Sequence, residues 1–362
     1  MFVDTNSSSL IEKCNRLHGG AVSTILDVAR LAGVSTATVS RVINSPDAVR
    51  EETRKKVQRA MKTCNYKYNA LARGFVTKKS NTIGLIIPNI DNPVFAESTL
   101  GVQEYVEEKN IKVILGNTSY RPSQEEKLVK VLRESQVDGL IITSTDPSGP
   151  LVQALVDEGF PFVLLFSTIK GGPISAVGVD NYRGGYVATE HLVSLGHKRI
   201  GIISGNFSVT DRGYHRWCGY RGCLRDHGIE YDENLLVQTE YSLSGGSKSI
   251  KTLLELSEPP TAVFCSNDYI ALGAMKGARE MGLRLPDDLS IVGFDDMQTA
   301  SYMVPALTTV RQPAYEMGRR AGELLLQLIE ESGNPVQDMM DTKLVIREST
   351  IAASHDADSD SK

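Results

Sequence analysis

The sequence predicts a small all-helical head joined to an α/β body of two lobes. Three observations lead there. Residues 24–64 carry three short stretches with apolar residues at helical spacing, within a strongly basic segment. From Asn81 onward, apolar runs alternate with amphipathic stretches, the pattern of parallel sheets with helical crossovers. That second part, about 280 residues long, exceeds what one such sheet accommodates, so it divides into two lobes.

Composition narrows the class. Of the 362 residues, 41% are hydrophobic and 23% charged, values of ordinary globular protein that exclude a disordered or collagen-like chain. No window reaches the roughly 18 to 20 uninterrupted apolar residues of a membrane span. The opening MFVDTNSSSLIEKCNRLHGG lacks the basic and apolar regions of a secretory signal. Five cysteines (Cys14, Cys64, Cys218, Cys223 and Cys265) are odd in number and scattered. They form no disulfide framework, and a reducing cytoplasm is the expected compartment.

The net charge of −5 conceals an asymmetry. Residues 21–80 hold twelve lysines and arginines against four acids, and residues 1–20 are balanced, which leaves −13 on the remaining 282. An acidic body with a basic head suggests that the head meets a polyanion. A solvated basic helix face is the alternative.

Within the head, Ile25, Val28, Ala29 and Ala32 fall on one face of a first helix. Thr24 is placed to cap it, Asp27 adds negative charge to its first turn, and Gly33 ends it. Ser35 caps a second helix whose inward face is Val39, Val42 and Ile43. Thr36, Ala37, Ser40, Arg41 and Asn44 then face outward. Helix, short Gly turn and helix with a small polar outer face describe a helix-turn-helix. A helix entering a major groove about 12 Å wide needs small residues at its N-terminal end. Thr36 and Ala37 can then touch base edges or a thymine methyl, and Arg41 reaches a guanine or a phosphate. A third helix near 50–63 buries Val57, Ala60 and Met61 beneath the pair.

These residues resemble the signature of the lactose-repressor (LacI) family: Thr24-Ile25, Asp27-Val28-Ala29, Ala32-Gly33-Val34-Ser35, Thr38-Val39-Ser40-Arg41-Val42 and Asn44. The resemblance implies a DNA-binding set of Thr24, Ser35, Thr36, Ala37, Thr38, Ser40, Arg41 and Asn44. It also implies that residues 66–80 are a hinge that becomes helical on the operator. There Asn69, Ala70, Ala72 and Arg73 match, with Asn69, Ala72, Arg73 and Phe75 as DNA contacts. Tyr68 stands where the family usually has proline, and Phe75 replaces the leucine that wedges into the minor groove. Phenylalanine is an accepted wedge, and Gly74 before it disfavours the hinge helix by about 1 kcal/mol relative to alanine.

The body has candidate strands at 82–88, 112–117, 139–143, 161–166, 175–179, 199–204, 261–266 and 290–294. Amphipathic stretches at 93–109, 123–136, 183–195 and 213–227 lie between them. The resemblance continues through IGLIIPNIDNPVFAE (83–97), DNYRGGYVATEHLVSLGHKRIGIISG (180–205), SNDYIALGAM (266–275), PDDLSIVGFDDMQTASYMVPALTTVRQP (286–313) and LVIREST (344–350). It implies the two-lobed, type I periplasmic-binding-protein-like effector domain, which dimerises and sets two heads side by side. The expected divisions are an N-terminal extension (1–22), the helix-turn-helix domain (23–65), the hinge (66–80), the effector-binding and dimerisation domain (81–350) and a solvated tail (351–362).

Ligands of such folds bind beyond the carboxyl ends of the strands. Phe95, Arg216, Tyr241, Asn267 and Asp295 fall just after predicted strands. By resemblance, Arg216 stands at the family's ligand-binding arginine, Asn267 and Asp295 at polar pocket positions, and Phe95 and Tyr241 at apolar walls. The set suits a sugar or sugar phosphate: carboxylate and amide groups bond hydroxyls, a guanidinium adds a fixed fork of donors, and rings cover C–H faces. Asp211 and Arg212 are secondary candidates. The alternatives are a helix cap for Asn267-Asp268 and pairing with a nearby base for Asp295-Asp296. Trp217, the only tryptophan, sits beside Arg216 as an optical reporter.

No enzymatic constellation is legible. GGSKS (245–249) lacks the order and spacing of a phosphate loop. His215, Cys218 and Cys223 lack a fourth ligand, and the two cysteines read as buried apolar residues, so no metal or cofactor is expected. No leucine heptad follows residue 350, which points to a homodimer on a near-palindromic operator. The expected function is thus a DNA-binding transcription regulator, a repressor, controlled by a carbohydrate-like effector. A plain sugar-binding protein or an α/β enzyme with a degenerate head is the competing class.

Overall fold

The computed structural model describes residues 24–44, 46–66, 79–167, 172–330 and 333–353. These fall into two separately packed units divided after Lys78. Asn69, Ala72, Arg73 and Phe75, the extension 1–22 and residues 354–362 lie outside the described residues.

The head consists of α1 (Ile25–Ala32), α2 (Thr36–Asn44) and α3 (Glu51–Thr63). At its start, the Thr24 N–H and hydroxyl both donate to the Asp27 carboxylate, at 2.8 and 2.6 Å, the return half of a capping box. Gly33 ends α1 in the left-handed region (φ 66°), and the Val34 N–H closes on the Ala29 carbonyl at 3.0 Å. Ser35 Oγ caps α2 by accepting from the Thr38 N–H at 3.2 Å. Val28, Ala29, Val39, Val42, Val57 and Ala60 form the core. Ile43 and Met61, expected inside, are only partly buried and pack on its edge.

The body opens with β1 (Thr82–Ile87), α4 (Pro93–Glu107), β2 (Lys112–Asn117), α5 (Pro122–Glu134), β3 (Leu140–Ile142), α6 (Pro150–Asp157), β4 (Phe162–Leu165) and β5 (Ser175–Val179). A second series follows: α7 (Asn181–Ser194), β6 (Ile200–Gly205), α8 (Asp211–Asp226), β7 (Leu236–Thr239), α9 (Leu243–Leu254), β8 (Ala262–Cys265), α10 (Asp268–Glu280), β9 (Ser290–Asp295) and β10 (Thr308–Arg311). The chain then returns through α11 (Ala314–Ile329) and β11 (Gln337–Met340) to finish in β12 (Lys343–Val345).

Among the described residues the strands make two six-stranded sheets, ordered β11-β5-β4-β3-β1-β2 and β12-β10-β9-β8-β6-β7. All neighbours are parallel except β12 against β10. The chain therefore crosses between the lobes three times: at Asp180, at Gln312-Pro313 and between Met340 and Lys343. The short partly polar strands β7, β10, β11 and β12 carry too little apolar sequence to stand out, and the alternating pattern alone does not reveal them.

Three helix pairs are packed so closely that side chains are excluded at the crossing. A Cβ on Gly185 or Gly219 would stand 2.1 Å from the Arg216 carbonyl oxygen and 2.0 Å from that of Tyr182, where α7 meets α8. The same reciprocal arrangement joins α4 to α11 through Gly101 and Gly318, and α9 to α10 through Gly246 and Gly273. Residues 351–353, grouped with the tail by composition, are tied to the body instead. The Ile351 N–H donates to Ser290 Oγ at 3.1 Å and the Ala353 N–H to the Leu195 carbonyl at 2.8 Å.

Candidate functional site

The exposed face of α2 presents Ala37 and Arg41, with Thr36, Thr38 and Ser40 half-buried beside them. Ser35 and Thr38 share a hydroxyl contact of 2.9 Å that orients both at the start of the helix. Only the backbone of Asn44 is described. On α3, Lys55 pairs with Glu51 and Lys56 with Glu52. Arg41, Arg50, Arg59 and Lys62 have no carboxylate within ion-pair distance among the described residues. The head thus offers free cations around a helix face with small side chains, which is what phosphate positioning and base-edge contact require.

In the body, a small cavity lies between the carboxyl ends of the two sheets. Phe95, Arg216, Tyr241, Asn267 and Asp295 all line it, so the structure brings together the whole set expected from strand ends. From the first lobe, Phe95 opens α4 and packs edge-on against Phe166 with ring centroids 5.3 Å apart. Beside them Asn92 caps α4, accepting from the Val94 N–H at 3.2 Å.

The second lobe supplies the charges. Close packing of α7 on α8 brings Asn181 Oδ1 within 2.8 Å of Arg216 Nε. Arg216 Nη1 donates to the Ser266 carbonyl at 2.5 Å and stands 3.8 Å from Asp295 Oδ1. Its guanidinium lies 3.5 Å over the Phe294 ring, a cation–π contact in a dry setting. Asp295 also accepts from Gln312 Nε2 at 2.5 Å. Burial raises the Asp295 carboxyl to about 6 and lowers the Arg216 guanidinium, so desolvation outweighs their attraction in both. At φ 118°, Asp295 holds a backbone conformation that L side chains rarely adopt, a strain of the kind found at binding sites.

Both alternatives for the acidic and amide pairs are partly realised. Asn267 Oδ1 caps α10 by accepting from the Ile270 N–H at 2.8 Å while the residue lines the cavity. The pairing with bases falls to Asp296, held by Arg311 and Arg347, both at 2.6 Å. Asp268 is buried beneath, accepting from Thr309 Oγ1 at 2.6 Å and the Met297 N–H at 2.9 Å. Burial pushes its carboxyl well above the usual range.

Tyr120, Phe166, Gln312 and Asn92 also line the cavity and were not among the expected residues. Tyr120 and Phe166 follow β2 and β4, the same strand-end signal that marks Phe95 and Asn267. Gln312 follows β10, one of the strands that the pattern does not reveal. Arg212, a secondary candidate, is a lining residue; Asp211 is not, and stands 4.0 Å from His215 at the start of α8. Among the lining residues, Arg212 Nη1, Tyr241 Oη and Gln312 Oε1 are buried without a hydrogen-bond partner; outside the lining, so is Asp211 Oδ1.

Of the sulfur positions on α8, Cys223 is buried and Cys218 only half-buried, which corrects the reading of both as interior. Among the described residues, no three or more His, Cys, Asp or Glu side chains are grouped to hold a metal, and no helix is long and apolar enough to cross a membrane.

Residues 24–69 match the model of the bacterial regulatory proteins, lacI family, and residues 189–350 that of the periplasmic binding protein-like domain. The ribose operon repressor of Haemophilus influenzae is 36% identical over 334 residues, 91% of this chain and 98% of its own. The solved complex of the transcriptional regulator CelR with cellobiose superposes with a TM-score of 0.68 at 33% identity, covering 91% of this chain and all of that one. The lac repressor dimer bound to operator and the anti-inducer ONPF gives a TM-score of 0.79 at 29% identity, over 92% of this chain and 100% of that one.

Proposed function

The chain belongs to the lacI family of bacterial regulatory proteins and is a DNA-binding transcription regulator; from that premise we propose that it acts as a homodimeric repressor controlled by a small polyhydroxylated molecule bound between the lobes. The observation that carries this reading is the interlobe cavity, with walls from both lobes and polar atoms left unbonded inside it. A ligand there touches both lobes at once, and so distinguishes any two arrangements of the body by its differential affinity.

Arg216, Asn267 and Asp295 are assigned to the hydroxyls, with Phe95 and Tyr241 packing on C–H faces. Thr24, Ser35, Thr36, Ala37, Thr38, Ser40, Arg41 and Asn44 are assigned to DNA, and the hinge residues Asn69, Ala72, Arg73 and Phe75 to the centre of the operator. The division into head (23–65), hinge (66–80) and effector domain (81–350) belongs to the same reading. The dimer is supported by edge strand β2, where Ile114 and Leu115 are 41% and 40% exposed. This apolar edge is one that a second copy would cover. The cavity holds no nucleophile paired with a base, which favours binding over turnover.

The test is operator affinity against ligand concentration in the wild type and Arg216→Ala. The wild type responds to a ligand, and the substitution lowers affinity for it by roughly a hundredfold, the order expected for losing hydrogen bonds from a charged donor. Unchanged ligand affinity in the variant removes Arg216 from the site.

A further inference from the structure

Arg216 and Arg212 both line the cavity, one turn apart on α8, yet their situations differ. Arg216 is bonded to Asn181 and Ser266 and stands beside Asp295. Arg212 is buried, with 7% of the residue exposed, and its side chain is unpaired. It has no hydrogen bond and no ion pair with any described residue, and its Nη1 is fully enclosed without a partner. The cavity lining therefore holds two guanidinium groups against one carboxylate, and that carboxylate is already engaged by Arg216 and Gln312.

Asp295 attracts Arg212 only through space, and a buried guanidinium whose fork is unfilled is costly unless a ligand supplies the acceptors. A neutral sugar would displace the remaining water and leave Arg212 uncompensated. An anionic group would satisfy its planar fork and also receive a hydrogen bond from Tyr241 Oη, the other unbonded donor in the lining. Gln312 Oε1, an acceptor without a donor, then faces a ligand hydroxyl.

We propose that the ligand of this cavity is an anionic monosaccharide derivative, a sugar acid or a sugar phosphate, whose charged oxygens seat on Arg212 and Tyr241 while its hydroxyls face Gln312 and Asp295. This rests on the interlobe cavity being the effector site. Arg212 is the residue that discriminates the anion from its neutral parent.

Matched sets test it by thermal shift and calorimetry on the full chain: D-ribose, D-ribonate and D-ribose 5-phosphate; D-glucose, D-gluconate and D-glucose 6-phosphate; and inorganic phosphate alone. An anionic member binds at least about tenfold more tightly than its neutral parent, and the carboxylate and phosphate arms identify which group is read. Arg212→Gln abolishes that discrimination, and Arg212→Lys, which keeps the charge, restores part of it. Competition by inorganic phosphate in the wild type supplies the same readout without any variant. A neutral sugar binding as tightly as its anions, undiminished discrimination in Arg212→Gln, or no response to any anion overturns the proposal. In the first of these cases the effector site itself stands, because a neutral ligand still binds there and still moves operator affinity.

Discussion

Tyr120 of the first lobe stacks on Tyr241 of the second, with ring centroids 4.9 Å apart and planes inclined by 17°. The pair closes one side of the cavity and separates it from an outer crevice, lined by Asn89, Asn206 and Lys248 among others. It is an apolar contact between lobes at the mouth of a charged interior, and it couples ligand enclosure to lobe closure.

Tyr120→Ala therefore weakens ligand binding by removing the stack, on the order of 0.5–1.5 kcal/mol for the aromatic pair beyond the area it buries. The loss falls mainly on ligand release, because an open wall no longer retains what has entered. Stopped-flow dissociation monitored through Trp217 checks this. A release rate equal to that of the wild type shows that the pair is not a barrier.

Arg41→Ala separates base reading from phosphate holding. If Arg41 contacts a base edge, the substitution costs roughly 1–3 kcal/mol on operator DNA and little on random sequence. Fluorescence anisotropy on both DNAs, repeated at several salt concentrations, measures the difference. An equal loss on both, with a shallower salt dependence, assigns Arg41 to the phosphates.

The helical head, the alternating body and the five expected cavity residues were legible because their signals are local. Caps, apolar spacing and strand ends lie within a few residues of the groups they position. Gln312 escaped for a different reason: it sits at a crossing between lobes, past a strand that the pattern does not reveal, and only the assembled sheets bring it to the cavity. The isolation of Arg212 was equally hidden, since a missing partner is a property of the fold and of no motif.

Asp295 gives the body a pH dependence of defined sign. Its carboxyl is raised by burial to about 6 when folded and titrates near 3.8 when free. The folded state thus holds the proton more tightly, so the contribution of Asp295 to stability falls as pH rises from about 4 to about 6 and is level above that, and Asp268, also raised by burial, acts in the same direction. His191 and His197, buried against Thr350 and Ile351, are lowered by burial and act oppositely, losing stability as pH falls below the ordinary histidine range. Melting temperatures of wild type and Asp295→Asn isolate the first effect. The advantage of the variant grows between pH 4 and 6; a constant difference contradicts the assignment.

Gly219→Ala tests the helix crossing that delivers Arg216. A methyl group there would stand 2.0 Å from the Tyr182 carbonyl oxygen, a contact with backbone that no rotamer relieves. Separating α7 from α8 costs about 1–3 kcal/mol by the usual scale of overpacking. It also moves Asn181 away from Arg216. Thermal unfolding shows the first effect and ligand titration the second. Unchanged values in both mean that the helices have slack there.

Ligand and operator bind one molecule, and their affinities are linked. Titrating ligand against Trp217 fluorescence, with and without saturating operator DNA, addresses this most directly. Linkage requires that the ligand midpoint move when operator is present, by the same factor as the operator affinity moves when ligand is present. An equal and reciprocal displacement is the expected result. A saturable fluorescence change whose midpoint is the same with and without operator contradicts it, leaving a chain that binds both partners without using one to control the other.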